Sequence, residues 1–354
     1  MTVYYLAYGI LIFLYCAAKI LCSDATKKVL SIAFFVIFTI MLGCRHPSMG
    51  RDLGYGQDYG YLSSFEQLSR LDWKKILDLK SFLNYEKGYV IYNKAISAVS
   101  KNGQFLLFAT SLISTGLIVA TFFKLSDNGN ILMTIIVYVA LPSFLIQFSG
   151  LRQTIAIAIC VFSLRFIEAR KFVPFIGLII GASLFHTSAL CFAFAYFIYA
   201  MPINRKWRVG TMGLLALIYI FRVPLFQILT RLIRRTDVPD YNGAVTLFIA
   251  FVLVYLFCCM FENGDTRING YMNLFFIACV CQSFSSVYSS GIRMGYYYMI
   301  SLPFLLPLIT QNIKDYKQRE IVRFVVYCGF LVFGLNVLSS RTGWAMTNPY
   351  SFFW

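Results

Sequence analysis

Long apolar runs alternate with short polar loops along almost the whole chain. A helix needs about 20 apolar residues to cross a bilayer core. By that rule the runs predict helices over 2–22, 27–44, 104–124, 130–149, 151–167, 172–185, 187–201, 210–226, 243–261, 270–289, 292–311 and 320–338. The stretch 172–201 is too long for one crossing and short for two. The basic clusters on either side of it, Arg170-Lys171 and Arg205-Lys206-Trp207-Arg208, belong on one side of a membrane. The chain must then enter and return as two short or re-entrant helices, with His186 at the tip. One polar loop, 45–103, is large enough for a small subdomain. Within it, 62–79 and 89–99 carry the helical apolar period and predict amphipathic helices lying on the membrane surface. The expected fold is an all-α polytopic membrane protein of about 12 transmembrane or re-entrant helices. It forms a single integral domain over 1–354, with 45–103 as an extracytoplasmic subdomain between the second and third spans.

Composition supports that reading. Of 354 residues, 59% are hydrophobic and 13% charged, against about 25% charged in a soluble domain. The net charge of +16 does not point to nucleic acid, because the basic residues mostly flank apolar spans. Lys27, Lys28, Lys124, Arg170, Lys171, Arg205, Lys206, Arg208, Arg267, Lys314, Lys317 and Arg319 fall in one set of short loops. The positive-inside rule makes that side cytoplasmic and puts both termini and 45–103 outside. The ten Cys sit in or at the ends of apolar segments, without metal or disulfide spacing, and read as packing residues. The first run lacks a basic start and a small-residue cleavage site, so it reads as a retained span. No GxxxxGK[ST] phosphate loop occurs.

One string repeats: Ser149-Gly150-Leu151-Arg152 and Ser290-Gly291-Ile292-Arg293. Each interrupts an apolar run where it can turn the chain and open a new helix. Unpaired N–H groups at a helix start, with an Arg one turn in, suit an anion. Outside the 45–103 loop, every basic residue on the outer side is Arg: 152, 222, 231, 234, 235, 293 and 341. Guanidinium forks hold phosphate oxygens in pairs and stay charged. Arg231, Arg234 and Arg235 also read as headgroup-facing surface residues. Arg152 and Arg293, each in the first turn of a span, read as functional. The two suggest a phosphorylated, lipid-linked substrate and are expected to face each other as halves of one anion clamp, open to the outside.

The loop that follows the second span is rich in Gly, Tyr, Arg and Asp. Aromatic faces, carboxylates and Arg are what sugar recognition uses. Asp52, Asp58 and Glu86 are candidate bases for a sugar hydroxyl, and each alone also reads as a salt-bridge partner. His186, in Phe185-His186-Thr187-Ser188, reads either as a structural hydrogen-bond partner or as a phosphate ligand or proton carrier. With only two His and no acidic cluster outside 45–103, no metal site is expected.

These motifs, in this order, resemble the EpsG family of bacterial polysaccharide proteins, related in role to the Wzy O-antigen and capsule polymerases. The resemblance covers nearly the whole chain. It rests on Arg45 with Gly50-Arg51-Asp52, Tyr85-Glu86-Lys87-Gly88-Tyr89, Phe148-Ser149-Gly150-Leu151-Arg152-Gln153, Phe185-His186-Thr187-Ser188-Ala189, Arg293-Met294-Gly295-Tyr296-Tyr297 and Asn348-Pro349-Tyr350. Many relatives carry Asp-Thr after the first-loop Gly, whereas here Gly50 precedes Arg51-Asp52-Leu53. Either Asp52 or Asp58 therefore aligns with the family's acid.

The resemblance implies a glycosyltransferase that polymerises undecaprenyl-pyrophosphate-linked oligosaccharide repeats for O-antigen, capsule or exopolysaccharide. It would work without cofactor or metal, on the outer face of the bacterial inner membrane. Arg152 and Arg293 would hold the donor pyrophosphate, and Asp52 or His186 would orient or deprotonate the acceptor hydroxyl. Arg45, Arg51, Asp58, Tyr59, Glu86, Gln153, Tyr297 and Arg341 would contact substrate. Membrane lipid, a chain-length regulator and a flippase are the implied partners, and nucleic acid is not. A ligase or acyltransferase, a lipid-linked oligosaccharide transporter and a non-enzymatic assembly partner are the competing readings. The scarcity of acids within the spans argues against a transport path.

Overall fold

The computed structural model describes all residues except 22–24, 80–81, 203–204, 233–244, 289–291 and 340–344. Among the described residues the chain is helical, with two isolated bridges and no strand. It divides into two units: Met1–Leu190 with Val325–Trp354, and Cys191–Phe324.

The first unit opens with α1 (Thr2–Ile20) and α2 (Thr26–Gly43). Three short helices follow: α3 (Tyr61–Arg70), α4 (Trp73–Asp78) and α5 (Lys87–Val99). Then come α6 (Gly103–Leu125), α7 (Ile131–Ala140), α8 (Pro142–Leu145), α9 (Leu151–Glu168) and α10 (Phe172–Ser183). α6 packs along α2 and α9, and α10 packs on α9. Close approach needs small residues: a Cβ on Gly43 would sit 3.0 Å from the Phe108 Cα on α6. Every residue of α7 is buried, which explains why that run is apolar all round.

Three expectations are corrected in this unit. The amphipathic stretch 62–79 is not one helix. It breaks after α3, and Asp72 caps α4 by accepting the Lys75 N–H at 2.7 Å. Nor do the apolar faces of α3, α4 and α5 lie outward. Tyr61, Phe65 and Tyr89 join Leu106, Leu107 and Leu151 in one cluster, while Leu68, Ile76 and Val90 form another. Burying such side chains stabilises by about 1.5–3 kcal/mol each, so the three helices satisfy one another. The stretch 130–149 is also broken. Leu141, held extended by the following Pro142, turns the chain by 71° between α7 and α8. A 3-10 turn, Ile146–Phe148, then leads into Ser149-Gly150 and α9.

The break expected at 184–186 is present: α10 ends at Ser183 and a 3-10 helix starts at Thr187. In the second unit lie α11 (Ala195–Ala200), α12 (Arg205–Ile220), α13 (Arg222–Leu232), α14 (Thr246–Phe261), α15 (Thr266–Ser283), α16 (Ile292–Met299) and α17 (Leu302–Gln311). α15 packs against α11, α12, α14, α16 and α17. Gly270 admits the Tyr199 ring, whose Cε2 would lie 2.5 Å from an added Cβ. The expected helix over 210–226 is interrupted at Phe221, where α12 and α13 meet at 76°. Arg208, expected in a cytoplasmic loop, is instead a buried pin. It donates to Glu262 at 3.4 Å, Tyr255 at 3.3 Å, Asn273 at 3.4 Å and the Asn269 side chain.

The last helix, α18 (Tyr316–Ser339), returns the chain to the first unit from Val325. Among the described residues four helices, α1, α2, α6 and α18, are long and apolar enough to cross a membrane, and up to seven crossings result if each bent pair counts as one. This is a polytopic membrane protein, and the fuller set of about 12 crossings remains an expectation from hydropathy.

Candidate functional site

The segment before the site is set by a buried arginine. Arg45 follows α2 and is fully buried. It donates to the carbonyls of Leu42, Met49 (3.4 Å), Gln147 (3.2 Å) and Phe148 (3.2 Å). Its guanidinium also lies 5.5 Å from the Phe148 ring centroid. Burial is the main influence on its pKa and lowers it to about 10, so it stays charged at neutral pH. Arg45 thus staples the first outer loop to the turn before Ser149, rather than reaching out to a substrate. Gly50 makes the fit possible: at φ +108°, an added Cβ would lie 1.8 Å from the Phe148 oxygen. The Asp52 N–H donates to Ser149 Oγ at 3.1 Å. The C-terminal segment closes over the same loop, with the His46 N–H on Ser351 O at 2.8 Å and the Tyr350 hydroxyl on Met41 O at 2.7 Å.

Gly150 opens α9, leaving Arg152 in its first turn. Arg152 Nη1 donates to Glu86 Oε2 at 2.7 Å and to Asn84 O at 3.2 Å, while Nε meets the Tyr61 hydroxyl at 3.4 Å. The guanidinium lies 4.5 Å from the Tyr85 ring centroid, and Tyr85 stacks with Tyr61. The other Glu86 oxygen, Oε1, accepts from the Thr187 N–H at 2.9 Å and its hydroxyl at 3.2 Å. His186 Nδ1 lies 3.3 Å from that same oxygen. The three side chains are largely covered, at 20% exposure for Arg152, 15% for Glu86 and 22% for His186. Burial by itself would raise the Glu86 pKa. The His186 ring, the Thr187 and Glu86 N–H groups and the Arg152 charge outweigh it and bring the value to about 2. Glu86 is therefore a fixed anion that orients Arg152 and His186, not a base.

Each residue of Tyr85-Glu86-Lys87-Gly88-Tyr89 has a task here. Tyr85 faces Arg152, and Glu86 pairs with it. Lys87 Nζ closes the end of α4, donating to Ile76 O, Leu77 O (both 2.7 Å) and Leu79 O (2.9 Å). Gly88 admits the Leu184 carbonyl, 2.6 Å from where a Cβ would be, and the Tyr89 N–H donates to it at 3.2 Å. Leu83 and Asn84 hold left-handed backbone at φ 47° and 58° and aim the Asn84 carbonyl at Arg152. Sequence reading took Tyr61 only as one of the loop's aromatic faces and Thr187 only as part of the His186 motif, and it did not single out Asn84, which nothing local marks.

Of the expected site residues, Arg152, Glu86 and His186 come together, with Asp52 one hydrogen bond from Ser149. Gln153 is buried beside Arg152 in α9. Arg51, Asp58 and Tyr59 are exposed on the outer loop. Arg293 is exposed near the start of α16, and Tyr297 on the same helix is fully buried; both belong to the second unit. The two copies of the repeated string thus sit in different units. Ser290, Gly291, Arg234, Arg235 and Arg341 lie outside the described residues. Among the described residues no group of three or more His, Cys, Asp or Glu side chains is placed to hold a metal ion.

The profile of the EpsG family matches residues 28–352. No curated protein and no solved structure matches.

Proposed function

The chain belongs to the EpsG family, a Wzy-like polysaccharide polymerase family, and from that premise we propose that it transfers a growing glycan between lipid carriers at the outer membrane face. The donor is an undecaprenyl-pyrophosphate-linked glycan, and the acceptor is a sugar hydroxyl on a second lipid-linked repeat. The new bond joins the donor's anomeric carbon to the acceptor oxygen. The bond from that carbon to the pyrophosphate breaks, the electron pair leaves with the pyrophosphate, and the hydroxyl proton passes to a base.

The observation that carries this reading is the Arg152–Glu86–His186 constellation at the start of α9. Arg152 is held by Glu86 and Asn84 in the first turn of a helix, where charge building on a departing pyrophosphate is stabilised. His186, whose Nδ1 lies 3.3 Å from Glu86, is assigned to take the proton. Asp52 orients the acceptor. Arg293, near the start of α16, is a separate candidate phosphate ligand. Positioning and fixed arginines take the place of a metal.

The test is reconstitution of the purified protein with synthetic lipid-linked repeats, with EDTA present, and gel analysis of products. Ladders should form with the wild type and vanish in Arg152→Ala and Arg293→Ala. Normal ladders from either variant would sink the assignment of that arginine. Transfer of a single glycan to a different acceptor, with no ladder, would identify a ligase instead.

A further inference from the structure

The outer-loop subdomain holds a second concavity. A cleft of about 630 Å³ opens between the 54–58 turn, α3 and the start of α6, within the range of about 300–1,000 Å³ typical of small-molecule sites. Tyr55, Gln57 and Asp58 line it from the turn, Glu66 and Arg70 from α3, and Asn102 from the start of α6. The turn is built to hold its shape. Gly54 and Gly56 take left-handed φ of 68° and 69°, and the Gln57 N–H donates to Gly54 O at 3.1 Å. The Tyr55 ring is braced edge-to-face by His46 at 4.9 Å and remains 53% exposed, so it presents a flat face. Glu66 and Arg70 pair at 2.5 Å, and Asn102 Oδ1 caps α6 on the Gln104 N–H at 2.8 Å.

The chemistry of these walls is specific in kind. One aromatic face, three amides, a guanidinium, an ammonium (Lys101) and two carboxylates supply the mixed donors and acceptors that neighbouring hydroxyls need. An apolar ligand would leave these groups unpaired, which is costly. Two carboxylates (Asp58 and Glu66) balance two cations (Arg70 and Lys101), so the lining carries no net charge to favour a polyanion. The position is as telling. On α3, residues 61 and 64 face Tyr85 and Arg152 through the Tyr61 and Ser64 hydroxyls, whereas residues 62, 66 and 69 line the cleft. Both stripes have helical spacing. The cleft and the Arg152 site therefore lie on two faces of one helix, whose full diameter is about 10–12 Å.

We infer that this cleft is a saccharide subsite, which holds sugar rings of the glycan beside the bond being made and so selects the repeat. The inference rests on the polymerase reading and assigns Asp58 to sugar recognition rather than to proton transfer. The probe is the cells' own surface polysaccharide, cut into lipid-free oligosaccharides. These are titrated onto the full-length protein in lipid nanodiscs and followed by saturation-transfer NMR. Wild type and Arg152→Ala should bind alike, and Tyr55→Ala and Gln57→Ala at least tenfold more weakly with unchanged thermal midpoints. Absence of wild-type binding at millimolar sugar, or wild-type affinity in both turn variants, would overturn the inference. Binding lost in the turn variants, from a wild type that makes no ladder, would keep the subsite and remove the polymerase reading instead.

Discussion

Arg152 and Glu86 lie 66 residues apart in sequence and meet at 2.7 Å, joining the first turn of α9 to the start of α5. The pair fixes where the Arg152 guanidinium points. Arg152→Ala should cut polymer formation at least about 100-fold, the loss typical of removing a donor to developing charge. Arg152→Lys should not rescue it, since an ammonium reproduces neither the fork to Glu86 and Asn84 nor the stack on Tyr85. Gel ladders from reconstituted protein test both, and a fully active Lys variant would refute the geometric argument.

The ionisation of Glu86 carries a stability signature. Its pKa is about 2 in the folded protein against 4.5 as the ordinary value. A carboxylate depressed in this way stabilises the fold above its unfolded pKa, and that contribution fades as pH falls from about 4.5 toward 2. At about 1.4 kcal/mol per unit it reaches about 3.5 kcal/mol, and solvent screening of this partly exposed group reduces it. Thermal midpoints should drop across that window in the wild type and change less in Glu86→Gln. An equally steep acid limb in the variant would mean that another group is responsible.

Arg45 is expected to matter through stability. Arg45→Ala strands the carbonyls of Leu42, Met49, Gln147 and Phe148, and a cost of about 3 kcal/mol or more follows from unsatisfied buried acceptors. Arg45→Lys should recover only part of it, because one ammonium cannot reach the same spread of carbonyls. Thermal unfolding in detergent and the yield of folded protein measure this. A wild-type midpoint in Arg45→Ala would remove the staple role.

Two backbone substitutions should act with opposite sign. Leu83 is exposed at φ 47°, a conformation that costs an L side chain about 1–2 kcal/mol. Leu83→Gly should raise stability by about 0.5–1 kcal/mol after the entropy of Gly is counted. Gly50→Ala should lower both stability and polymer yield, because the new Cβ collides with the Phe148 oxygen and displaces the turn before Ser149. Melting curves of the two variants decide the matter.

Much of the helical frame was legible in the sequence, because apolar runs end where polar residues begin. The ends of α1, α2, α6 and α14 fall within a few residues of the expected ones. The breaks at Leu141 and Phe221 were not, since both interruptions lie inside apolar stretches that a hydropathy window smooths over. Pro142 and Arg222 were the available signals. At the site, the motifs around Glu86, Arg152 and His186 stood out, but their union depends on pairings across the fold. Arg208 was counted as a loop cation because its sequence neighbours are basic. Its partners Glu262, Asn269 and Asn273 come from distant helices.

The Arg45 staple has a reach beyond its contacts. Its donors go to backbone carbonyls, and no carboxylate among the described residues pairs with it. A whole positive charge is thus set in a medium of low polarisability, close behind the Ser149 turn, where mobile ions screen it poorly. Its field adds to that of the α9 dipole and draws anions toward the mouth of the site from several ångströms away. On the proposed polymerase reading, a residue buried behind the site thereby helps to set how fast a charged lipid headgroup arrives, and how little added salt slows it.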